Sequence, residues 1–335
     1  MPDLRKDPIV GRWVIIAKNR AQRPIELLDE VLAPPQGGLC PFCEGHEQHT
    51  PHEIAAYRSS GTLRDAPGWH VRVVPNKYPA LEMAEELNQR NQGMYLTMRG
   101  VGVHEVIIES PRHLVSTTEL SQEPLRDVLL MYRDRLLNWK QDPRLIYGMI
   151  FKNVGAAAGA SLEHVHSQLI VTPIVPINVA EELAGSQAYF DGHGRCVFCE
   201  MIQQERAYQK RIVLDSPGFV VFCPFAARFP YETWILPTSH ASHYETLSPA
   251  DAEELAQVLR RVLIKIETAL DWPAYNYIIH TAPFDTQALG HYHWHIEIIP
   301  RVTKTAGFEW GSGFYINPVP PEEAAMFMRD LVHQS

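Results

Sequence analysis

Residues Glu163-His164-Val165-His166-Ser167-Gln168 lead into the apolar run Leu169-Ile170-Val171. On an extended strand, side chains two apart share a face, so His164, His166 and Gln168 would line one surface. The preceding stretch, Gly155-Ala156-Ala157-Ala158-Gly159-Ala160-Ser161, is built from residues small enough for a phosphate to approach the backbone amides. A small-residue loop feeding a His-X-His-X-Gln strand points to phosphate chemistry at a histidine. The competing reading is a pair of half-buried strand histidines behind a flexible loop.

Four of the five cysteines form two C-X-X-C pairs, Cys40-Pro41-Phe42-Cys43 and Cys196-Val197-Phe198-Cys199. This is metal-ligand spacing, and each pair needs two further ligands for a tetrahedron. Residues 1–30 contain no apolar stretch behind a basic start, so a secreted, disulfide-bonded chain is not expected. The expectation is a cytoplasmic protein with two zinc ions. Cys223 lies in an apolar run and reads as a core thiol.

The elements that must position these groups occur twice. Glu105-Val106-Ile107-Ile108-Glu109-Ser110-Pro111-Arg112-His113 resembles Glu232-Thr233-Trp234-Ile235-Leu236-Pro237-Thr238-Ser239-His240 at an offset of 127 residues, and His164 and His291 stand at the same offset. Between these landmarks each copy has apolar residues at helical spacing, Leu125, Val128, Leu129, Tyr132 and Leu136 in one, Leu255, Val258, Leu259, Val262 and Ile266 in the other. Each helix then runs into a strand, Tyr147 to Val154 or Tyr275 to Thr281. The cysteine pairs are 156 residues apart, so the first copy carries 29 extra residues, and Met83–Gly93 is expected to be part of that insertion as a solvated loop.

A length of 335 residues suits two modules, 1–172 and 173–335, with a connection near 172–195 holding a short helix around Ala180–Ala184. Hydrophobic residues make up 45% of the chain, the net charge is −9, and no stretch approaches the roughly 18 apolar residues of a membrane span. Neither a nucleic-acid partner nor a membrane is expected.

Together these residues resemble the galactose-1-phosphate uridylyltransferase family, a branch of the histidine-triad superfamily. The resemblance extends from Asp7-Pro8-Ile9-Val10-Gly11-Arg12-Trp13 through Arg20-Ala21-Gln22-Arg23-Pro24 and Val74-Pro75-Asn76-Lys77-Tyr78-Pro79 to Gly307-Phe308-Glu309. It implies an α+β fold of two tandem histidine-triad-like modules, each an antiparallel sheet with a long helix. It also implies that His166 is the nucleophile of a covalent nucleotidyl intermediate, with UMP passing from UDP-glucose to galactose 1-phosphate. Imidazole suits that role, being largely neutral at pH 7 with a reference pKa of about 6.5. By resemblance, the His164 carbonyl fixes the His166 tautomer while the His164 side chain ligates zinc.

Related hydrolases carry a third histidine where Gln168 stands. An amide donates to a phosphoryl oxygen but delivers no proton at neutral pH, which favours transfer to a phosphate acceptor over hydrolysis. The nucleotide would be held by Asn76, Lys77, Asn153, Gly159, Ala160, Ser161 and Gln168. Arg20 and Arg23 would neutralise sugar phosphate, and Phe308 and Glu309 would reach the active site of a second subunit in a homodimer. The resemblance gives Cys40, Cys43, His113 and His164 as the first zinc set.

For the second set, repeat symmetry gives Cys196, Cys199, His240 and His291. Plant adenylyltransferase relatives, which share the second cysteine pair, align their ligand with His293 instead. Some members of the family hold iron with a glutamate, a distant histidine and a His-X-His pair. The matching positions are Glu182, His280, His295 and Glu297, where the last histidine is replaced. The loop before His291 lacks the Gly-Ala-Ser pattern, so the second copy is expected to be a structural partner. An ADP-glucose-type adenylyltransferase with a phosphate or sulfate acceptor is the alternative, since the second cysteine pair and Tyr315-Ile316-Asn317-Pro318-Val319 resemble that branch. A non-catalytic zinc and nucleotide-binding protein is the reading from another class.

Overall fold

The computed structural model of the chain describes residues 2–18 and 39–331. Strands β1 (Asp3–Lys6) and β2 (Trp13–Ile16) open the chain, followed by β3 (Ala55–Arg58), β4 (Trp69–Pro75), an exposed hairpin of β5 (Arg90–Gln92) and β6 (Tyr95–Thr97), and β7 (Val103–Ile108). Helix α1 (Gln122–Trp139) precedes β8 (Tyr147–Val154), β9 (His166–Thr172), α2 (Ile177–His193) and α3 (Val197–Tyr208). The second half continues with β10 (Ile212–Asp215), β11 (Phe219–Phe222), β12 (Thr233–Pro237), α4 (Pro249–Leu270), β13 (Tyr275–His280) and β14 (His295–Pro300). It closes with α5 (Gly307–Ser312), β15 (Tyr315–Asn317) and α6 (Pro321–Asp330).

Ten strands form one antiparallel sheet in the order β10-β11-β12-β14-β13-β8-β9-β7-β4-β3. Read outward from the middle, β8-β9-β7-β4-β3 mirrors β13-β14-β12-β11-β10, so each half contributes five strands in the same arrangement. The inner strands β8 and β13 pair directly, with Asn153 opposite Asn276, and this fuses the two halves into one sheet. The expected α+β duplication, an antiparallel sheet with a long helix in each half, is what the chain forms.

Helices α1 and α4 pack side by side on one face of that sheet. The five apolar positions spaced at three and four residues in each helix are all buried in a single core. Beneath them lie Leu169 and Val171 of β9 and Ile107 of β7. Each fully buried leucine or valine here contributes ~1.5–3 kcal/mol relative to exposure. Ser248 caps α4 by accepting from the Asp251 amide, with Pro249 in its first turn. Since Ser167, Leu169 and Val171 face the helices, the strand's alternation sends His166 and Gln168 to the opposite face.

One element departs from the expectation. The stretch predicted as a connection with a short helix forms the 17-residue helix α2. Gly185 and Ser186 in its middle weaken any helical pattern. A Cβ on Gly185 would come within 1.8 Å of the Ile9 carbonyl, so close packing of the N-terminal segment requires the glycine. The Met83–Gly93 stretch is largely exposed as expected, with its end folded into the β5–β6 hairpin.

Candidate active site and metal centres

His166 is the first residue of β9, and its Nδ1 lies 2.7 Å from the His164 carbonyl. A carbonyl only accepts, so Nδ1 carries the proton and Nε2 keeps its lone pair. The ring is 8% exposed and packs edge-on to Phe42 at 5.2 Å. Burial pushes its pKa below the ordinary histidine value, so the ring is neutral at pH 7. It opens on a cavity of about 550 Å³ shared with Asn76, Lys77, Tyr78, Ser161 and Gln168.

The small-residue loop turns at Gly155 (φ +80°) and Gly159 (φ +86°), left-handed conformations that glycine adopts without strain. The amides of Ala158, Gly159 and Ala160 bond to carbonyls of Gly155 and Ala156, so they serve the loop's own turns. Neither Gly159 nor Ala160 lines the cavity; Ser161 and Leu162 form its rim. Asn276 of β13 ties the loop down by donating to the Ala158 carbonyl and to Asn153 Oδ1, both at 2.8 Å. Asn276 lies 123 residues from Asn153, and only the β8–β13 pairing reveals its role.

Behind His166, on the helix side, sits a buried polar network. Lys152 of β8 donates to Glu109 at 2.5 Å, and Glu109 also accepts from Ser167 and, at 2.8 Å, from Tyr132 of α1. Tyr132 meets the Tyr277 hydroxyl of β13 at 2.7 Å, which links the network behind β9 to the second half. Burial alone would raise the Glu109 carboxyl; the Lys152 ammonium and the hydroxyls outweigh it and hold the group below the usual carboxylate range.

Cys40, Cys43, His113 and His164 place their ligand atoms within 4.8 Å of one another. The Sγ to Nδ1 separations are 3.4 Å (Cys40–His164), 3.5 Å (Cys43–His113) and 3.7 Å (Cys43–His164). Zn–S of about 2.3 Å and Zn–N of about 2.0–2.1 Å give a tetrahedral S–N edge of roughly 3.6 Å, so the donors fit that ion. His164 Nε2 donates to the Ser110 carbonyl at 2.8 Å, which leaves Nδ1 as the ligand atom. Burial pushes His164 down to about 4, so it is neutral as a ligand must be.

The second cluster is Cys196, Cys199, His240 and His293. Its separations are 3.4 Å (Cys199–His240) and 3.7 Å (Cys199–His293), and the Nε2 atoms of both histidines face backbone carbonyls at 2.9 Å. His291, which the constant offset predicts, is not in the cluster and contributes only a carbonyl that accepts from Cys196. From His240 to His293 is 53 residues and from His113 to His164 is 51, so the offset from His164 to its equivalent is 129. His295, at the same offset from His166, likewise turns Nδ1 to the carbonyl two residues before it, at 3.2 Å.

Glu182, His280 and His295 also converge within 4.8 Å. His280 Nδ1 lies 3.2 Å from Glu182 and its Nε2 3.2 Å from Glu297, while Arg228 pairs with the other Glu297 oxygen. Burial would lower His280, but the flanking carboxylates outweigh it and push it up to about 10. Two carboxylates are thus balanced by an imidazolium and a guanidinium. A guanidinium on the carboxylate that replaces the last histidine of that set does not fit an iron ligand.

Arg20 and Arg23 lie outside the described residues. Phe308 is 49% exposed on α5, and Glu309 accepts from the Ala306 amide to cap that helix; neither lines the His166 cavity. His49 also lines the cavity, and His104 contacts Gln168 at 2.7 Å. No described helix is long and apolar enough to cross a membrane.

A neutral, tautomer-fixed histidine opening on a cavity, beside a Cys₂His₂ cluster, is an arrangement suited to nucleotidyl transfer. Residues 1–176 match the profile of the galactose-1-phosphate uridyl transferase N-terminal domain and residues 182–314 that of its C-terminal domain. The chain belongs to the galactose-1-phosphate uridylyltransferase family, nucleotidyltransferases that act on nucleotide sugars. It is 39% identical to ADP-glucose phosphorylase of Arabidopsis thaliana, over 98% of this chain and 93% of that protein. Identity to galactose-1-phosphate uridylyltransferase of Thermotoga maritima is 28%, over 98% of each. The crystal structure of the Arabidopsis thaliana ADP-glucose phosphorylase with bound ADP-glucose superimposes with a TM-score of 0.86 at 38% identity, covering 99% of this chain and 100% of that one.

Proposed function

We propose that the chain transfers a nucleotidyl group from a nucleotide sugar to a phosphate acceptor through a covalent bond to His166, with ADP-glucose as donor and inorganic phosphate as acceptor. The geometry of His166 carries the mechanism: Nδ1–H held by the His164 carbonyl aims the Nε2 lone pair into the cavity. Nε2 attacks the α-phosphorus, a P–N bond forms, and the bridging P–O bond breaks with its electron pair leaving on glucose 1-phosphate. An acceptor phosphate oxygen then attacks the same phosphorus; a new P–O bond forms, the P–N bond breaks, and the pair returns to Nε2. Neither step requires a proton from Gln168, whose amide donates to a phosphoryl oxygen as charge shifts.

The residues that fit zinc are Cys40, Cys43, His113 and His164 in the first half and Cys196, Cys199, His240 and His293 in the second. Bound there, zinc supplies a rigid cross-link that holds the start of each histidine strand. Residues 1–172 act as the catalytic module and 173–335 as its structural partner. A homodimer in which the exposed Phe308 meets the partner copy's nucleotide fits this reading, as does a cytoplasmic location.

Adenine is favoured by the similarity to ADP-glucose phosphorylase over nearly the whole chain. The uridylyl reading, UMP from UDP-glucose to galactose 1-phosphate, is favoured by the Thermotoga maritima relative. The test is to incubate the enzyme with ADP-glucose or UDP-glucose labelled at the α-phosphate and trap the protein. Acid-labile, base-stable label on His166 from ADP-glucose, released as ADP by phosphate, is expected. Label from UDP-glucose alone overturns the donor assignment, and full turnover by His166→Asn overturns the mechanism.

A further inference from the structure

A backbone amide can donate but never accept, and two of them decide how Gln168 faces the nucleotide. The Ala80 amide donates to His104 Nδ1 at 3.1 Å. That nitrogen must therefore carry the lone pair, and a neutral imidazole then bears its proton on Nε2. His104 Nε2 lies 2.7 Å from Gln168, so the Gln168 atom it meets must be the carbonyl oxygen, Oε1.

The Tyr78 amide fixes a second side chain in the same way. It donates to Asn76 Oδ1 at 2.9 Å, so the Asn76 amide group turns its NH₂ inward and donates to the same Gln168 oxygen at 3.4 Å. The 3.1 Å approach of Asn76 Nδ2 to His104 Nε2 is then two donors converging on one acceptor. Both lone pairs of the Gln168 oxygen are used. Its NH₂ points away from the 76–80 segment and makes no hydrogen bond within the described residues.

We propose that His104 is a positioning residue for nucleotidyl transfer, holding the Gln168 side chain so that its NH₂, and not its carbonyl oxygen, faces the phosphoryl oxygens. The proposal rests on the reading of the site given above. An amide is nearly symmetric in shape, and sterics alone would let it flip. The flipped form would set a carbonyl dipole against an anion that gains charge during transfer, and the donor would be lost. His104 stands on β7, two residues before the position paired with Gln168 and on the same sheet face.

The test uses full-length, metal-loaded enzyme and single-turnover labelling from ADP-glucose and UDP-glucose, with donor affinity measured separately. His104→Leu removes both the acceptor for Ala80 and the donor to Gln168. It should slow formation of the labelled enzyme by at least ~10-fold, short of the ~10²–10³-fold cost of deleting such a donor outright. Donor affinity should change by less than about 3-fold, because the contact strengthens only as charge develops. His104→Gln can accept from Ala80 and donate to Gln168, and it should recover most of the lost rate.

The decisive comparison repeats His104→Leu in a Gln168→Leu background, where it should have no further effect because its only route to the phosphate is gone. An equal slowing in both backgrounds, an H104Q variant as slow as H104L, or an unchanged rate in H104L would overturn the proposal. Failure of the unmutated enzyme to take up label from either donor would instead count against the covalent mechanism itself.

Discussion

Replacing Lys152 by Met tests the polar network behind the nucleophile. Met nearly matches the Lys stem in volume, so the change removes a charge and leaves little cavity. What remains is Glu109, fully buried, with two hydroxyl donors and no cation. Breaking a buried ion pair by removing one partner costs ~3–5 kcal/mol. At ~2.1 cal/mol/K per residue, unfolding 335 residues carries an entropy of roughly 0.7 kcal/mol/K, so Tm should fall by about 4–7 °C at pH 7.5. The pH dependence gives the charge away. In the native protein Glu109 is held below its usual value, so its contribution is present above about pH 4.3 and lost as pH falls below that. Without Lys152, burial dominates and raises the carboxyl. The variant's deficit should then shrink as pH drops from 8 toward 5 and the group takes a proton. Adding Glu109→Gln should recover all but ~1 kcal/mol of the loss. Calorimetry of the metal-loaded protein is the assay. A Tm within 1.5 °C of the parent, or a deficit independent of pH, would show that no ionised pair is buried there.

Elemental analysis should find close to two zinc per chain; Cys40→Ala should unfold the first half and abolish activity, and Cys196→Ala should mainly lower Tm. A metal-free preparation with full thermal stability would contradict both clusters. Because burial holds His166 below the ordinary histidine value of about 6.5, the acid-side fall in the rate of intermediate formation should come at a lower pH than that, and a half-loss at or above about 6.5 would refute this. Gln168→His should raise the ratio of nucleoside monophosphate released to transfer product formed, since a charged imidazole can protonate a leaving group; an unchanged ratio with both rates lower would confine Gln168 to positioning.

Local patterns made the duplication legible. Three- and four-residue apolar spacing marked α1 and α4, and the strand over Tyr147–Val154 has the bounds expected of it. The C-X-X-C pairs carry their own chemistry, so their clusters could be sought from spacing alone. Groups that depend on partners distant in sequence were not legible. Lys152 in an apolar strand gives no hint of Glu109, because strand pairing and not periodicity brings them together. His104 reads as one surface histidine among many until the Ala80 and Tyr78 amides are placed beside it. Two extra residues between His240 and His293 were enough to mislead the count from His164, since an offset tracks sequence and a ligand set tracks space.

On the function proposed above, the first half is the one equipped for phosphoryl transfer, and the second half departs from it at named residues. His295 repeats the nucleophile's contact with the carbonyl two residues before it, beside a complete Cys₂His₂ cluster. Where the first half has Gln168, with hydrogens to offer an anion, the second has Glu297, which has none when ionised. Arg228 and His280 saturate that carboxylate, and His295 is fully buried with its ring stacked on His280 at 4.4 Å, so its Nε2 does not open to solvent. The Gly-Ala-Ser sequence of the first loop is also missing from the segment before His291. The duplicated scaffold thus keeps a Cys₂His₂ cluster in both halves, while β13 of the second half supports the first. Through Asn276 it holds the loop of the first half, and through Tyr277 it reaches the network beneath the nucleophile. Separating the halves should therefore abolish activity even though His166 and Gln168, to which the proposed transfer is assigned, both lie in the first.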